Sequence, residues 1–149
     1  MSTGMKSIRW QMVMEAQRDY PDAPKMTGPG DVARLMREQG HATADRERFV
    51  VYLLNVKHQI IASEMVSMGT LDGALIHPRE VFKAAVVASA AGLIVAHNHP
   101  SGDVMPSGED KAAARRLREA GTLLGIPLVD FLVVSPLGTF FSFKDDGII

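Results

Sequence analysis

Residues 92–100 read GLIVAHNHP, an apolar run that ends in a histidine pair. The apolar part, residues 92–96, predicts a short buried strand. Side chains alternate along a strand, so His97 and His99 are expected to point the same way where this strand ends. Asp110, at the start of the next predicted helix, could complete three protein ligands around one metal ion. That set would leave one position open for water, as in catalytic rather than structural zinc sites.

Composition indicates an ordinary globular protein. Of the 149 residues, 46% are hydrophobic and 22% are charged, which is typical of one folded domain with a single core. The chain has no cysteine, which excludes disulfides, zinc ribbons and cysteine nucleophiles together. The net charge of −1 gives no overall basic surface, so direct binding to nucleic acid is not expected.

The sequence predicts no targeting or membrane segment. No apolar region follows the first residues, and no stretch approaches the roughly 20 apolar residues of a membrane span. We therefore expect a cytoplasmic protein that does not bind membranes. Residues 1–28 are predicted as an N-terminal strand and connector, ahead of a single globular domain over residues 29–149.

Periodicity and turn residues predict an α/β fold. Ile8, Trp10, Met12 and Met14 alternate with polar residues and indicate a first strand. Asp31 is predicted to cap a helix over 30–38 that stops at Gly40. The other predicted elements are strands 49–56 and 60–68 as a hairpin, a short strand 74–77, helix 78–91, helix 107–124, and a closing hairpin of 128–135 with 139–143.

Each candidate ligand also has an ordinary structural explanation. Ser107 and Asp110 form the S-x-x-D pattern of a capping box, and either histidine alone could be a strand-end residue. The combination His-x-His-Pro, six residues, Ser, two residues, Asp is far rarer than any of its parts. A capped helix would also hold its carboxylate still, so the two interpretations are compatible. The pattern predicts a metal site.

The same pattern resembles the signature of JAB/MPN-type (JAMM) metalloproteases. Residues 97–103, HNHPSGD, are similar to the RadC branch of that family, and residues 68–71, 77–83 and 142–143 agree with it. The resemblance runs from about residue 29 to the end of the chain. It implies a cytidine-deaminase-like JAB/MPN fold, a mixed curved β-sheet flanked by helices, in the short form without an N-terminal helix-hairpin-helix region.

The family pattern also needs an upstream glutamate, and three are available. Glu47 stands just before the predicted strand 49–56, and it precedes His97 by fifty positions (97 − 47 = 50). Glu64 lies within the next strand, and Glu80 lies at a helix N-terminus where the helix dipole explains it. Glu47 is favoured over both, although its alternative is a solvated charge in the run 45–48.

The resemblance implies a role for each site residue. His97, His99 and Asp110 would bind one Zn²⁺ per chain, Glu47 would act as general base and then acid, and Ser107 would donate a hydrogen bond to the oxyanion. A two-histidine, one-carboxylate set also suits iron or manganese. The implied reaction is hydrolysis of a peptide or isopeptide bond in a peptide or protein substrate. The residues alone imply metal-assisted hydrolysis.

Two other function classes stay open. The family's link with DNA repair implies a DNA-repair-associated role with a repair-related protein partner, and some JAB domains are non-catalytic scaffolds. Asp103 is a candidate partner for a ligating histidine, with a turn role as its alternative. RadC-like chains usually have Asp-His where this one has Asp130-Phe131, which removes a polar side chain near the last strands.

Overall fold

The computed structural model describes residues 4–9, 11, 24–68 and 76–149, which contain a five-stranded mixed sheet and three helices. The helices are α1 Pro29–Glu38, α2 Pro78–Val87 and α3 Gly108–Leu124. The strands are β1 Arg48–Leu54, β2 Ile60–Met68, β3 Gly92–Asn98, β4 Leu128–Val134 and β5 Phe140–Ser142. This is the α/β architecture that the sequence predicts.

The sheet places β3 at its centre. The strand order is β2-β1-β3-β4-β5, and β1 is antiparallel to both β2 and β3. β3 and β4 are parallel, and α3 forms the crossover that a parallel pair requires. β5 returns antiparallel to β4 as the predicted closing hairpin. The histidines therefore lie at the end of a strand that has a neighbour on each side.

Two apolar cores lie on opposite faces of the sheet. On one face, Leu93 and Val95 of β3 pack in a cluster with α2 and α3. On the other face, Ile94 and Ala96 pack in a cluster with α1. Every residue of β3 is buried, which explains why residues 92–96 form a continuous apolar run rather than an alternating one. The alternation of side chains between the two faces continues past residues 92–96, so His97 and Asn98 point to opposite faces of the sheet.

The start of α1 differs from the prediction, which took Asp31 as its N-cap. Pro29 occupies the first turn of the helix and Gly28 is the N-cap, so α1 begins before Asp31. Asp31 instead accepts hydrogen bonds from the backbone N–H and the hydroxyl of Thr27, each at 2.7 Å. The stop at Gly40 is confirmed, because its φ of 78° is unfavourable for other residues.

Two elements end earlier than predicted. β1 ends at Leu54 rather than Val56, because the Asn55 side chain accepts hydrogen bonds from the backbone N–H groups of Lys57 and Gln59 and closes the turn. α2 ends at Val87 rather than at residue 91, because Ser89 adopts a left-handed φ of 53°. No glycine marks that helix end, so the sequence carried no stop signal there.

Two predicted strands are not found where they can be assessed. Residues 4–9 and 11 form neither helix nor strand, and Ile8 is exposed, whereas Trp10, Met12 and Met14 lie outside the described residues. The predicted strand 74–77 fares similarly, since residues 76 and 77 precede α2 without pairing and residues 74 and 75 are not described. Along the described chain, no helix is both long and apolar enough to cross a membrane.

Candidate metal centre

The two histidines meet at the end of β3. His97 is the sixth residue of the strand and is fully buried, and His99 follows directly after the strand. Their rings lie edge to face, with centroids 4.7 Å apart and planes at 81°. The strand's alternation brings both side chains to the α2/α3 face, as the spacing predicts.

Asp110 faces both histidines from the first turn of α3. Its Oδ1 lies 2.8 Å from His97 Nε2, and its Oδ2 lies 3.2 Å from His99 Nε2. The predicted capping box is present: Ser107 Oγ accepts from the Asp110 backbone N–H at 3.0 Å, and Asp110 Oδ2 accepts from the Ser107 backbone N–H at 2.8 Å. One aspartate therefore caps the helix and contacts both histidines, so the capping role is compatible with a role as a ligand.

Asp110 and His99 shift one another's protonation. Burial works to raise the pKa of the Asp110 carboxyl, but the contacts from His97 and His99 outweigh burial and hold that pKa far below its ordinary value. The Asp110 contact also raises the pKa of His99, against the opposing effect of burial. Metal binding requires an ionised carboxylate and neutral imidazoles, so an ion would have to displace the proton that Asp110 favours on His99.

Glu47 approaches the pair from the segment that precedes β1. Its Oε1 lies 4.0 Å from His99 Nε2, and its side chain is 39% exposed. Glu47, His97 and His99 offer three ligand atoms that all lie within 4.8 Å of one another, so this group could hold a metal ion. A second carboxylate, that of Asp110, lies outside this group but contacts both histidines, so each carboxylate is a candidate third ligand.

The other two candidate glutamates lie elsewhere. Glu64 is exposed on β2, opposite Val51 of β1. Glu80 is exposed on α2 and forms an ion pair with Lys83 at 3.0 Å. Neither belongs to a group of metal-capable side chains within the described ranges.

The donor set fits a divalent metal ion. Two ligands of a tetrahedral zinc ion with bonds of about 2.0–2.1 Å are separated by about 3.3 Å, close to the contacts that Asp110 makes with the histidines. Although His97 Nε2 lies near Asp110, neither of the His97 ring nitrogens forms a hydrogen bond with a described residue. A buried ring nitrogen without a hydrogen bond is costly in a folded protein, and a metal ion bound to Nε2 would remove that cost for this atom.

His99 is oriented by a backbone carbonyl. Its Nδ1 lies 2.7 Å from the carbonyl oxygen of Asp103. Because a carbonyl only accepts, Nδ1 must carry the proton, which leaves Nε2 of the neutral ring free to bind a metal. The prediction that Asp103 supports a histidine therefore holds through its backbone, while its carboxylate accepts from the Met105 N–H at 3.0 Å and forms the turn.

Comparison with known proteins shows the family to which the chain belongs. A family described as "RadC-like JAB domain" matches residues 26–148. The chain belongs to the RadC-like JAB domain family. It is 46% identical over 129 residues to a protein of Rubrobacter xylanophilus and 40% identical over 150 residues to one of Desulforamulus reducens, both named "UPF0758 protein". These alignments cover 87% and 97% of this chain, but only 56% and 65% of the relatives, so the chain spans little more than half of the first relative's length.

One departure from the usual RadC-like pattern lies directly against the site. Phe131, where the resemblance leads us to expect a histidine, packs edge-on against His97 with ring centroids 5.7 Å apart. Phe49 stacks on the same imidazole at 4.4 Å and 8°. The His97 ring is therefore held between aromatic rings, with its Nε2 facing Asp110 at 2.8 Å.

Sequence reasoning missed the part played by Asn98. Asn98 separates the two histidines in the sequence, and it is fully buried and hydrogen-bonded. The period-two alternation that pairs the histidines also turns the intervening side chain away from them. The signal in the sequence is an asparagine at a strand position that faces away from the histidines, where an amide needs hydrogen-bond partners of its own.

Proposed function

We propose that this RadC-like JAB domain is a zinc-dependent hydrolase that cleaves a peptide or isopeptide bond. His97, His99 and Asp110 would hold one Zn²⁺ per chain, and Glu47 would be the general base. The observation that carries the proposal is the convergence of four groups from three separate segments. Both imidazole Nε2 atoms contact one buried carboxylate, that of Asp110, and the half-exposed Glu47 carboxylate lies 4.0 Å from His99 Nε2.

Glu47 would accept and then return the proton in this reaction. A zinc ion, when bound, supplies a Lewis acid that lowers the pKa of a bound water from about 15.7 towards 7. Glu47 Oε1 accepts the proton as the water oxygen attacks the scissile carbonyl carbon. The same carboxyl then gives the proton to the amine nitrogen as the C–N bond breaks, which leaves one acid and one amine product.

Ser107 would assist at the carbonyl oxygen. Its Oγ accepts the Asp110 N–H, and its own hydroxyl hydrogen meets no acceptor among the described residues. The hydroxyl is exposed at the N-terminus of α3, where the helix dipole favours negative charge. It can therefore cap the helix and donate to a developing oxyanion. Such a donor contributes about 2.7–4 kcal/mol in acyl transfer.

The first experiment measures metal content by mass spectrometry on protein purified without chelator, beside a His97→Ala/His99→Ala double variant. We expect about one zinc per chain in the parent and none in the variant. Hydrolysis is then followed with a library of fluorogenic peptides and a matched library that carries a lysine isopeptide bond. Glu47→Gln should keep its zinc and lose activity by a factor on the order of 10²–10⁴.

The outcomes separate the alternatives. Zinc that depends on the histidines, with cleavage that depends on Glu47, supports the proposal. A parent that neither contains zinc nor binds added zinc overturns it and favours a non-catalytic binding role. Zinc binding with cleavage unaffected by Glu47→Gln removes Glu47 from the mechanism.

A further inference from the structure

The residue between the two histidines points away from them and holds a different part of the site. β3 alternates between the two faces of the sheet, and His97 and His99 take the α2/α3 face. Asn98 is fully buried, and its side chain contacts the backbone of residues 44–48. That segment carries Glu47.

Both the oxygen and the nitrogen of the Asn98 side-chain amide form hydrogen bonds with this segment. Its Oδ1 accepts from the Arg48 backbone N–H at 2.7 Å. Its Nδ2 donates to the carbonyl oxygens of Arg46 at 3.0 Å and Ala44 at 3.3 Å. The bonds to Arg46 and Arg48 flank Glu47 on both sides.

These bonds continue the sheet where its backbone pairing stops. The ladder between β1 and β3 ends at the pair Phe49 and His97, and residues 44–47 form neither helix nor strand. Arg48 pairs with Met68 of β2, and on its other side the Asn98 side chain takes the place of a β3 ladder partner. The main chain on both sides of Glu47 is therefore tied to the strand that carries the histidines.

Glu47 depends on this attachment for its position. Its carboxylate is 39% exposed, and its contact with the histidine pair is a long one, 4.0 Å to His99 Nε2. A contact of that length does not fix a flexible side chain by itself. The backbone on either side of residue 47 must therefore set where the carboxylate lies.

We infer that Asn98 is a positioning residue that sets the distance between the Glu47 carboxylate and the histidine pair. The inference rests on the proposed function, because Glu47 is the general base there. Only an amide of this length offers one acceptor and two donors at these places. Aspartate would keep the acceptor for Arg48 but would face two carbonyl oxygens, and serine is too short to reach both sides.

The test uses Asn98→Ser and Asn98→Asp in the full chain, with Asn55→Ser as matched control. Asn55 also binds backbone N–H groups with its side chain, but it follows the opposite end of β1. Three quantities are measured: amide exchange at Arg48, zinc affinity by competition with a chromophoric chelator, and the separate kcat and KM for a cleaved fluorogenic peptide.

We expect Asn98→Ser to raise the exchange rate of the Arg48 amide by about tenfold or more, the effect of losing one buried hydrogen bond. Zinc affinity should stay within about threefold of the parent, because His97, His99 and Asp110 are held by other contacts. The kcat should fall by about 10- to 100-fold with little change in KM. Adding Asn98→Ser to Glu47→Gln should cause no further loss, because both act on one group.

Several results would overturn the inference. One is an Arg48 amide that exchanges as slowly in Asn98→Ser as in the parent. Another is a zinc affinity that falls in parallel with kcat, which would make Asn98 a support of the histidines. A third is the same kinetic loss in Asn55→Ser, which would indicate general destabilisation. The exchange readout needs neither zinc nor substrate, so a parent without hydrolysis would remove the proposed function while leaving this comparison decisive for the attachment of residues 44–48.

Discussion

Two carboxylates reach the histidine pair, and the chain holds them in opposite ways. Asp110 is buried and is fixed by contacts within its own helix start, where the capping box joins it to Ser107 three residues away. Glu47 is half-exposed and comes from a segment without regular structure, fixed through Asn98 about fifty residues along the chain. The buried, locally fixed carboxylate suits a ligand, and the exposed one suits a group that exchanges protons with substrate and water.

The first test asks which of the two carboxylates binds the metal, because either could complete a three-ligand set with the histidines. We expect Asp110→Asn to weaken zinc affinity by more than the roughly 100-fold that marks the upper range for residues outside the ligand set. Glu47→Gln should change zinc affinity by less than about threefold. Chelator competition measures both, and asparagine keeps an oxygen for the Ser107 N–H, so the helix cap survives.

The opposite pattern would exchange the two roles. If Glu47→Gln loses zinc and Asp110→Asn retains it, Glu47 is the ligand and Asp110 orients the histidines. Equal, large losses in both variants would indicate that both carboxylates bind the metal.

Ser107→Ala tests whether local fixing of Asp110 contributes to the site, with a smaller expected effect. Loss of the cap should lower the free energy of unfolding of the zinc-free protein by about 1 kcal/mol. It should also weaken zinc affinity by up to about tenfold, because Asp110 loses a restraint. Urea unfolding and chelator competition measure the two effects.

Thr27→Ala is the matched control for that loss. Thr27 also hydrogen-bonds an aspartate in the first turn of a helix, Asp31 of α1, which packs on the other face of the sheet. We expect a comparable or smaller loss of stability and an unchanged zinc affinity. An equal fall in zinc affinity in both variants would show that the site responds to overall stability rather than to the cap.

The contrast between the carboxylates also explains what could be predicted from sequence. Asp110 and its cap follow from a four-residue pattern, and the histidine pair follows from the period of a strand, so both are local signals. Glu47 was chosen among three glutamates only by its place before an apolar strand and by family resemblance. Its attachment depends on Asn98, which is remote in sequence.

The fold shows the same division between local and distant signals. The hairpin partner 60–68 and the closing hairpin were marked by apolar runs and turn residues and were found. The end of α2 was misplaced because Ser89, not glycine, takes the left-handed conformation there. Sequence patterns report backbone preference, and they fail where tertiary packing imposes a conformation that the residue does not favour.

A third aspartate provides the smallest and most specific test of what the histidines do for Asp110. Asp130 is as buried as Asp110 and also receives hydrogen bonds, from Ser142 Oγ at 2.6 Å and the Lys144 N–H at 3.1 Å. With no histidine in contact among the described residues, burial dominates and raises the pKa of Asp130, whereas the pKa of Asp110 is lowered. Two aspartates of equal burial therefore differ in the sign of their pKa shifts because of their neighbours.

Asp130→Asn tests the direction of the Asp130 pKa shift through the pH dependence of stability. The folded protein holds the Asp130 proton more tightly than the unfolded chain, where the pKa is about 3.9. The stability from this proton is therefore complete below that pH and is lost as pH rises through the folded pKa. Asparagine does not titrate, so the stability of the parent relative to the variant should be greatest in acid and decline towards neutral pH, which urea unfolding across the range measures. A parent that instead gains on the variant as pH rises would mean that the Ser142 and Lys144 hydrogen bonds hold Asp130 as a carboxylate. Histidine contacts would then not be required to keep a buried aspartate charged in this fold, and the low pKa of Asp110 would cease to be a mark of the site.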